Sequence, residues 1–501
     1  MRATFFLAAA ALLAAAAPAA GSELRIALQD DPDTLDPALN WSFVGRHVLQ
    51  SVCDKLVDID PDGTIVPMLA TGWTWSQDGL SLTLDLRADV SFQDGERFDA
   101  EAVKFNLDRE LTLPGSRRKS ELAALDRVEV TGPLRVVLHL KEPSVPLLAL
   151  FTDRAGMMVS PKAALAAGEQ FGQHPVCAGP YRFVERVAQD HIVLERYPGH
   201  WHAQAYHFDR LIFLSMPDGT VRLTNLKARQ VELVDRLPPS AVTEIAADPA
   251  LATAEGAGLS YSGLTFNLAN GDKAVSAIAG NPLVRQAISL AIDRRALNEV
   301  AFDGRYEAGN QPFAPSSPWY DKALPVPARD PAAAKAKLAE AGVTHLSFEL
   351  LMPTDPLAQQ EAQMIQAMLA EIGIEVRLVA TEFITMLDRA RRGDFQADLV
   401  GWSGRVDPDL NISPLLGCGA AGNDGHYCSA ALTKILAAAR ATPDPAARKA
   451  GYDEAVGLLA TDVPVIYLYH ARSIFGLTAR LHGFRVFSDG IIRLDGVAFQ
   501  P

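Results

Sequence analysis

The sequence predicts an α/β protein built from two unlike halves, and three observations carry that reading. In the first half apolar and polar residues alternate with the period of two that marks half-buried strands. The second half carries longer amphipathic helices set between strands. Beyond the Ala-rich N-terminus no linker, low-complexity tract or internal repeat is visible, so short crossovers must join the halves.

Taken in order, the clearest strand is the run in which Leu80, Leu82, Leu84 and Leu86 alternate with Ser81, Thr83, Asp85 and Arg87. Val128 to Val130 and Val136 to Leu140 flank Thr131-Gly132-Pro133 as a hairpin, and Tyr181 to Val187 and Ile192 to Tyr197 flank Ala188-Gln189-Asp190-His191 as another. Past the midpoint, Val284, Ala287, Ile288, Ala291 and Ile292 recur at helical spacing behind Asn281-Pro282. Asp330-Pro331 reads as cap and first turn of a helix ended by Gly342. Met364, Ile365, Met368, Leu369 and Ile372 form a further apolar stripe ended by Gly373. That stripe lies between two strand-like runs, Leu346 to Leu351 and Ile374 to Val379, and the three together read as a βαβ unit.

Composition narrows the function. A chain of 501 residues with 46 Lys+Arg against 60 Asp+Glu has a net charge of -14 and no basic run. Such a surface repels phosphate backbones, so nucleic acid is not an expected partner. Met1-Arg2, an apolar stretch from Phe5 to Ala17 and the small residues Ala17-Pro18-Ala19 have the layout of a secretory signal. Residues 1–20 are therefore expected to be a cleaved signal peptide, with no Cys behind the cleavage site to take a lipid. The mature chain is expected to be soluble in the periplasm, where disulfides persist. Cys418 and Cys428 lie ten apart in a Gly/Asn-rich loop and are expected to pair. Four cysteines allow three pairings, and Cys53 with Cys177 is the expected second bridge.

Enzymatic signatures are missing. There is no Gly-Lys pair, His-Glu-x-x-His, Cys-x-x-Cys or Gly-x-Ser-x-Gly. Ser260 and Ser262 have no base nearby in sequence. His200, His202 and His207 have some metal-ligand character, but they surround the turn Tyr197-Pro198-Gly199-His200-Trp201, where histidines more often pack or face solvent. No enzyme activity, cofactor or metal is expected.

The motifs then accumulate into a whole. Ala70 to Trp75, Asp78-Gly79, the alternating run to Arg87, Asp89-Val90-Ser91-Phe92-Gln93-Asp94-Gly95 and Phe98-Asp99-Ala100-Glu101-Ala102-Val103 resemble the signature segment of the family 5 extracellular solute-binding proteins. These are the dipeptide- and oligopeptide-binding components of bacterial ABC importers. In the family's order there follow Ala178-Gly179-Pro180-Tyr181, Tyr197 to Trp201, Val284-Arg285-Gln286-Ala287, Ala291-Ile292-Asp293-Arg294, Gly401-Trp402-Ser403 and Val463-Pro464-Val465-Ile466-Tyr467, while Asp31-Pro32-Asp33-Thr34-Leu35-Asp36-Pro37 precedes them. The resemblance implies a two-lobed, type II-like clamshell closing on a ligand in the cleft. It implies a first lobe from 21–53, 178–265 and 471–501, an extra subdomain at 54–177, and a second lobe at 266–470. The chain would cross near 264–267 and return near 467–470. A monomer docking on an inner-membrane permease is the expected assembly.

The resemblance also points at the ligand. In peptide-binding relatives an aspartate three positions beyond the Gly-Trp tryptophan pairs with the peptide's ammonium; here that position is Arg405. A guanidinium repels an ammonium and suits a carboxylate or phosphate. Two arrangements stay open for Arg405: ligand contact, or a loop arginine facing solvent or paired with Asp407 or Asp409. Asp407 remains a candidate partner for an amine. Trp402 is expected in the cleft wall, Trp41 and Tyr427 are weaker aromatic candidates, and Asn267 stands at the crossover. Met352 and Phe383 divide between pocket and core. Peptide or peptide-like cargo is the expectation, with an anionic opine or sugar-phosphate conjugate as the alternative that Arg405 motivates and a metal chelate behind it.

Overall fold

The computed structural model describes residues 22–275 and 277–500; the signal peptide expected at 1–20 lies outside them. Two large sheets organise the chain. The first has the order Leu251–Gly256, Ser473–Thr478, Leu233–Val234, Glu23–Leu28, Arg210–Ser215, His191–Arg196, Tyr181–Val187. Its central strand, Glu23–Leu28, runs parallel to Arg210–Ser215 with Ile26 opposite Phe213, and Leu24 and Ile26 are wholly buried. The second has the order Glu307–Ala308, Val465–His470, Tyr261–Phe266, Ala397–Trp402, Leu346–Pro353, Ile374–Thr381.

The βαβ unit forms as its sequence dictates. Leu346–Pro353 and Ile374–Thr381 pair in parallel from Leu346 opposite Ile374 onward. Helix Pro356–Ala370 crosses between them, its first turn set by Pro356 and capped by the Asp355 side chain on the Ala358 N–H. The helices Pro282–Ala291 and Pro331–Glu340 start the same way, on Asn281 and Asp330. Their apolar stripes meet Leu350, Phe348 and Leu264 in one core.

The chain passes from the first sheet to the second through 257–260 and returns through 471–472. The outward crossover falls earlier than the expected 264–267. The reason is that Tyr261–Phe266 bonds to Ala397–Trp402 on one side and Val465–His470 on the other, so it is an interior strand of the second sheet. The two crossovers run side by side: the Ser260 hydroxyl donates to the Ala471 carbonyl at 3.4 Å, and a ring nitrogen of His470 lies 2.9 Å from the Ser260 carbonyl oxygen. A side-chain carbon on Gly258 would stand 2.6 Å from the Ala471 carbonyl oxygen, so only glycine permits this approach.

The segment between Cys53 and Cys177 builds its own four-stranded sheet, Ala70–Trp75, Ser81–Leu86, Arg135–Leu140, Leu125–Gly132. Leu82 and Leu84 are fully buried against Val136, Leu138, Phe92, Phe98 and Val103, and each contributes about 1.5–3 kcal/mol by leaving water. Leu80 lies outside the strand and is partly exposed. A Cys53–Cys177 disulfide ties the points where the chain leaves and re-enters this segment, and Cys418–Cys428 closes the loop before helix Ala430–Ala441. No helix of the described residues is long and apolar enough to cross a membrane.

Candidate functional site

A cavity of about 510 Å³ lies between the two sheets. The side of the first sheet supplies Trp41 and Phe43, and the second supplies Tyr261, Trp402, Tyr427 and Tyr469. Trp41 follows Asn40, whose side-chain amide donates to the Asp33 carboxylate, and the Trp41 backbone N–H donates to Asp33 at 2.8 Å. These bonds fix the backbone from which the indole projects. It meets the Trp402 ring at 5.7 Å between centroids, tilted by 42°. Trp402 ends its strand and donates its indole N–H to Asn411 at 3.0 Å. Tyr427 donates to Asp462 at 2.6 Å, and Tyr469 to Glu361 at 3.0 Å. The cavity is thus walled by aromatic rings whose polar tips are anchored in the protein.

Its charged lining is mostly acidic. Among the described residues, Asp30, Asp398 and Asp424 face it without an ion-pair partner within 4.0 Å. Burial raises Asp30 to about 6 against the pull of Arg236, with Asp355 pushing the same way as burial. Burial also raises Asp424 to about 6, opposed by Arg117 and Arg391. Asp398 is pushed well above the ordinary carboxylate range by burial and then by Asp424. Glu361, buried and accepting, among the described residues, only from Tyr469, rises to about 8. Two of the three lining arginines are engaged, while Arg472 has no side-chain hydrogen bond or ion pair among the described residues. Arg222 donates to the carbonyls of Met216, Pro217 and Arg236. Arg236 donates to Gln29 at 2.9 Å and lies over the Phe43 ring.

The residues singled out in the sequence divide into two sets. Trp41, Trp402, Tyr427 and Phe383 line the cavity; Met352 is buried in the core of the second sheet. Arg405 does not line it. Its guanidinium is 6% exposed and ion-pairs at 2.5 Å with Asp153, which lies in the segment between Cys53 and Cys177. It also donates to its neighbour's carbonyl, Gly404, at 2.7 Å. Asp407 accepts from both terminal nitrogens of Arg448 at 2.9 to 3.1 Å, which neutralises it, and it does not line the cavity. Asn267 is wholly buried and donates to the carbonyls of Asn270, Gly393 and Phe395; it closes backbone. Of the histidines, His200 is buried 2.8 Å from Asp54, and among the described residues no group of three His, Cys, Asp or Glu side chains is arranged to hold a metal. Ser260 and Ser262 line the wall, Ser260 bonded to backbone.

Asp30, Asp398 and Asp424 were not singled out. Asp398 carried a readable signal, an acid inside the otherwise apolar strand Ala397–Trp402. Asp424 sits in the loop closed by Cys418–Cys428, and Gly422 of that loop passes so near Trp41 that a side-chain carbon there would stand 2.6 Å from the indole. The loop thus carries Asp424 and Tyr427 to the cavity while touching the opposite wall.

A cavity between two sheets joined by paired crossovers is the architecture of a binding protein, and the sequence comparison decides which kind. The profile described as Bacterial extracellular solute-binding proteins, family 5 Middle, matches residues 64–423. The chain belongs to that family. Its members bind solutes and are not enzymes. This solute-binding protein is 28% identical to the glutathione-binding protein GsiB of Pectobacterium atrosepticum over 95% of its own chain and 94% of the relative's. It is 27% identical to a dipeptide-binding protein of Pseudomonas aeruginosa over 96% of each. The ABC transporter-associated periplasmic binding protein DppA from Helicobacter pylori, solved with the peptide STSA, superposes with a TM-score of 0.88 at 24% identity, covering 96% of this chain and 98% of that one. The family 5 clamshell fold is therefore that of the present chain.

Proposed function

We propose that this solute-binding protein captures a peptide or peptide-like ligand in the periplasm and delivers it to an inner-membrane ABC permease. The observation that carries the reading is the aromatic-walled, acid-lined cavity of about 510 Å³ between the lobes. Clefts between lobes are preferred ligand sites, and closure around the ligand supplies a signal to a partner. The glutathione- and dipeptide-binding relatives, matched over nearly the whole chain, support the peptide-like class. An anionic cargo has less support, because the arginine that motivated it, Arg405, is neutralised by Asp153 outside the cavity.

The test is mass spectrometry of small molecules released on denaturing protein purified from its native periplasm, followed by calorimetric titration of what is found. Peptides or amino-acid conjugates bearing an amine are expected. Recovery of a phosphorylated or purely carboxylated solute, binding tightly on its own, would overturn the peptide-like reading.

A further inference from the structure

Asp398 and Asp424 line the cavity without an ion-pair partner within 4.0 Å among the described residues. Asp398 is 2% exposed, and its Oδ1 is buried without a hydrogen-bond partner among the described residues. It stands in the middle of Ala397–Trp402, so it caps no helix, and it belongs to the cavity lining. Leaving a buried carboxylate oxygen unsatisfied is costly, and a carboxylate in a dry site calls for a cation. Asp424 reaches the same cavity from the Cys418–Cys428 loop. The guanidiniums nearest to it are otherwise occupied: Arg117 donates to the Ala421 carbonyl and lies over Trp41, and Arg391 stands 3.8 Å from Asp388.

We infer that Asp398 and Asp424 together form the subsite for an ammonium group of the ligand, with Trp41 and Trp402 flanking it. The inference rests on the peptide-like reading and adds the residues that select the ligand's charge. An ammonium offers several donors to the two carboxylates and cancels the repulsion between them. Burial holds both groups above the ordinary range, and Asp424 pushes Asp398 further the same way; this is the electrostatic counterpart of the empty valence at Asp398. The ammonium can be the N-terminal one or that of a lysine side chain.

The experiment is calorimetric titration of the mature protein with Ala-Leu, N-acetyl-Ala-Leu, Ala-Lys and N-acetyl-Ala-Lys, at pH 5 and pH 7.5, repeated on Asp424→Asn and Asp398→Asn. Loss of the sole ammonium in N-acetyl-Ala-Leu is expected to weaken binding about tenfold or more, as for other close charge pairs. If N-acetyl-Ala-Lys keeps the affinity, the side-chain ammonium serves; if it also loses it, the N-terminal one does. Asp424→Asn is expected to erase the penalty of acetylation, and wild-type affinity for Ala-Leu is expected to fall between pH 7.5 and pH 5. If Ala-Leu and N-acetyl-Ala-Leu bind equally to the wild type at both pH values, the subsite is wrong and the peptide-like reading stands. The wild-type arms decide this even where a variant does not fold. If none of the four binds, both readings fall.

Discussion

Two buried acidic sites in this solute-binding protein are opposites. At Asp153 a carboxylate is surrounded by guanidiniums: Arg46 at 3.0 Å, Arg405 at 2.5 Å and Arg154 at 3.7 Å. Burial alone would raise it, yet Arg405, Arg46 and Arg154 hold it well below the ordinary range. At Asp398 and Asp424 burial acts the same way and no cation of the described residues lies within 4.0 Å, so both groups are raised. The first site is electrostatically complete and joins the subdomain to the second lobe. The second is incomplete and opens on the cavity. Burial by itself therefore does not set the state of a carboxylate; whether a guanidinium lies against it does.

The comparison can be broken most forcefully at Asp153. Asp153→Asn keeps the shape but leaves Arg46, Arg154 and Arg405 facing one another, and is expected to cost about 3–5 kcal/mol in urea unfolding at pH 7. A loss below about 1 kcal/mol would mean that the arginines are compensated elsewhere. The next largest effect is expected at Arg405, since Arg405→Met removes the ion pair between the subdomain and the second lobe while Arg46 still holds Asp153. It should cost about 1–3 kcal/mol and enlarge the ligand-free protein in small-angle scattering as the lobes part. An unchanged scattering profile would show that the pair does not hold the closed form.

The smallest effect is expected on the incomplete site, and its sign is reversed. Asp424 titrates at about 6 in the folded protein against an ordinary 3.8. The folded state thus holds its proton more tightly, and stability is lost as pH rises from about 4 to about 6. Asp424→Asn should therefore stabilise the ligand-free protein at pH 7.5 by about 1–2 kcal/mol, a gain that fades toward pH 4. Asp153 runs the other way: its carboxylate is held low, so its contribution is present above the ordinary 3.8 and is lost as pH falls below it. A destabilising Asp424→Asn at pH 7.5 would mean that the carboxylate already has a partner.

How much of this was legible follows from the range of each interaction. The helices starting at Asn281, Asp330 and Asp355 were readable because cap, first-turn proline and apolar stripe are local features. The strand Ser81–Leu86 was readable for the same reason, its alternation surviving as alternating burial. The partner of Arg405 was not: Asp153 lies far upstream, and only the tertiary fold brings it near. Asp407 looked available because Arg448, which binds it, belongs to a helix no motif connected to it. Asp424 stands in the loop closed by Cys418 and Cys428, and its isolation depends on where the distant Arg117 and Arg391 point. The outward crossover was misplaced because apolar residues at 261–266 cannot say which of two sheets will claim them.

The close passage of Gly258 against Ala471 has a mechanical meaning. Two tethers far apart would allow the lobes to slide or twist; two tethers in contact behave like the pin of a door. The lobes are left essentially one angle to vary, and that angle alone sets the width of the cavity between them.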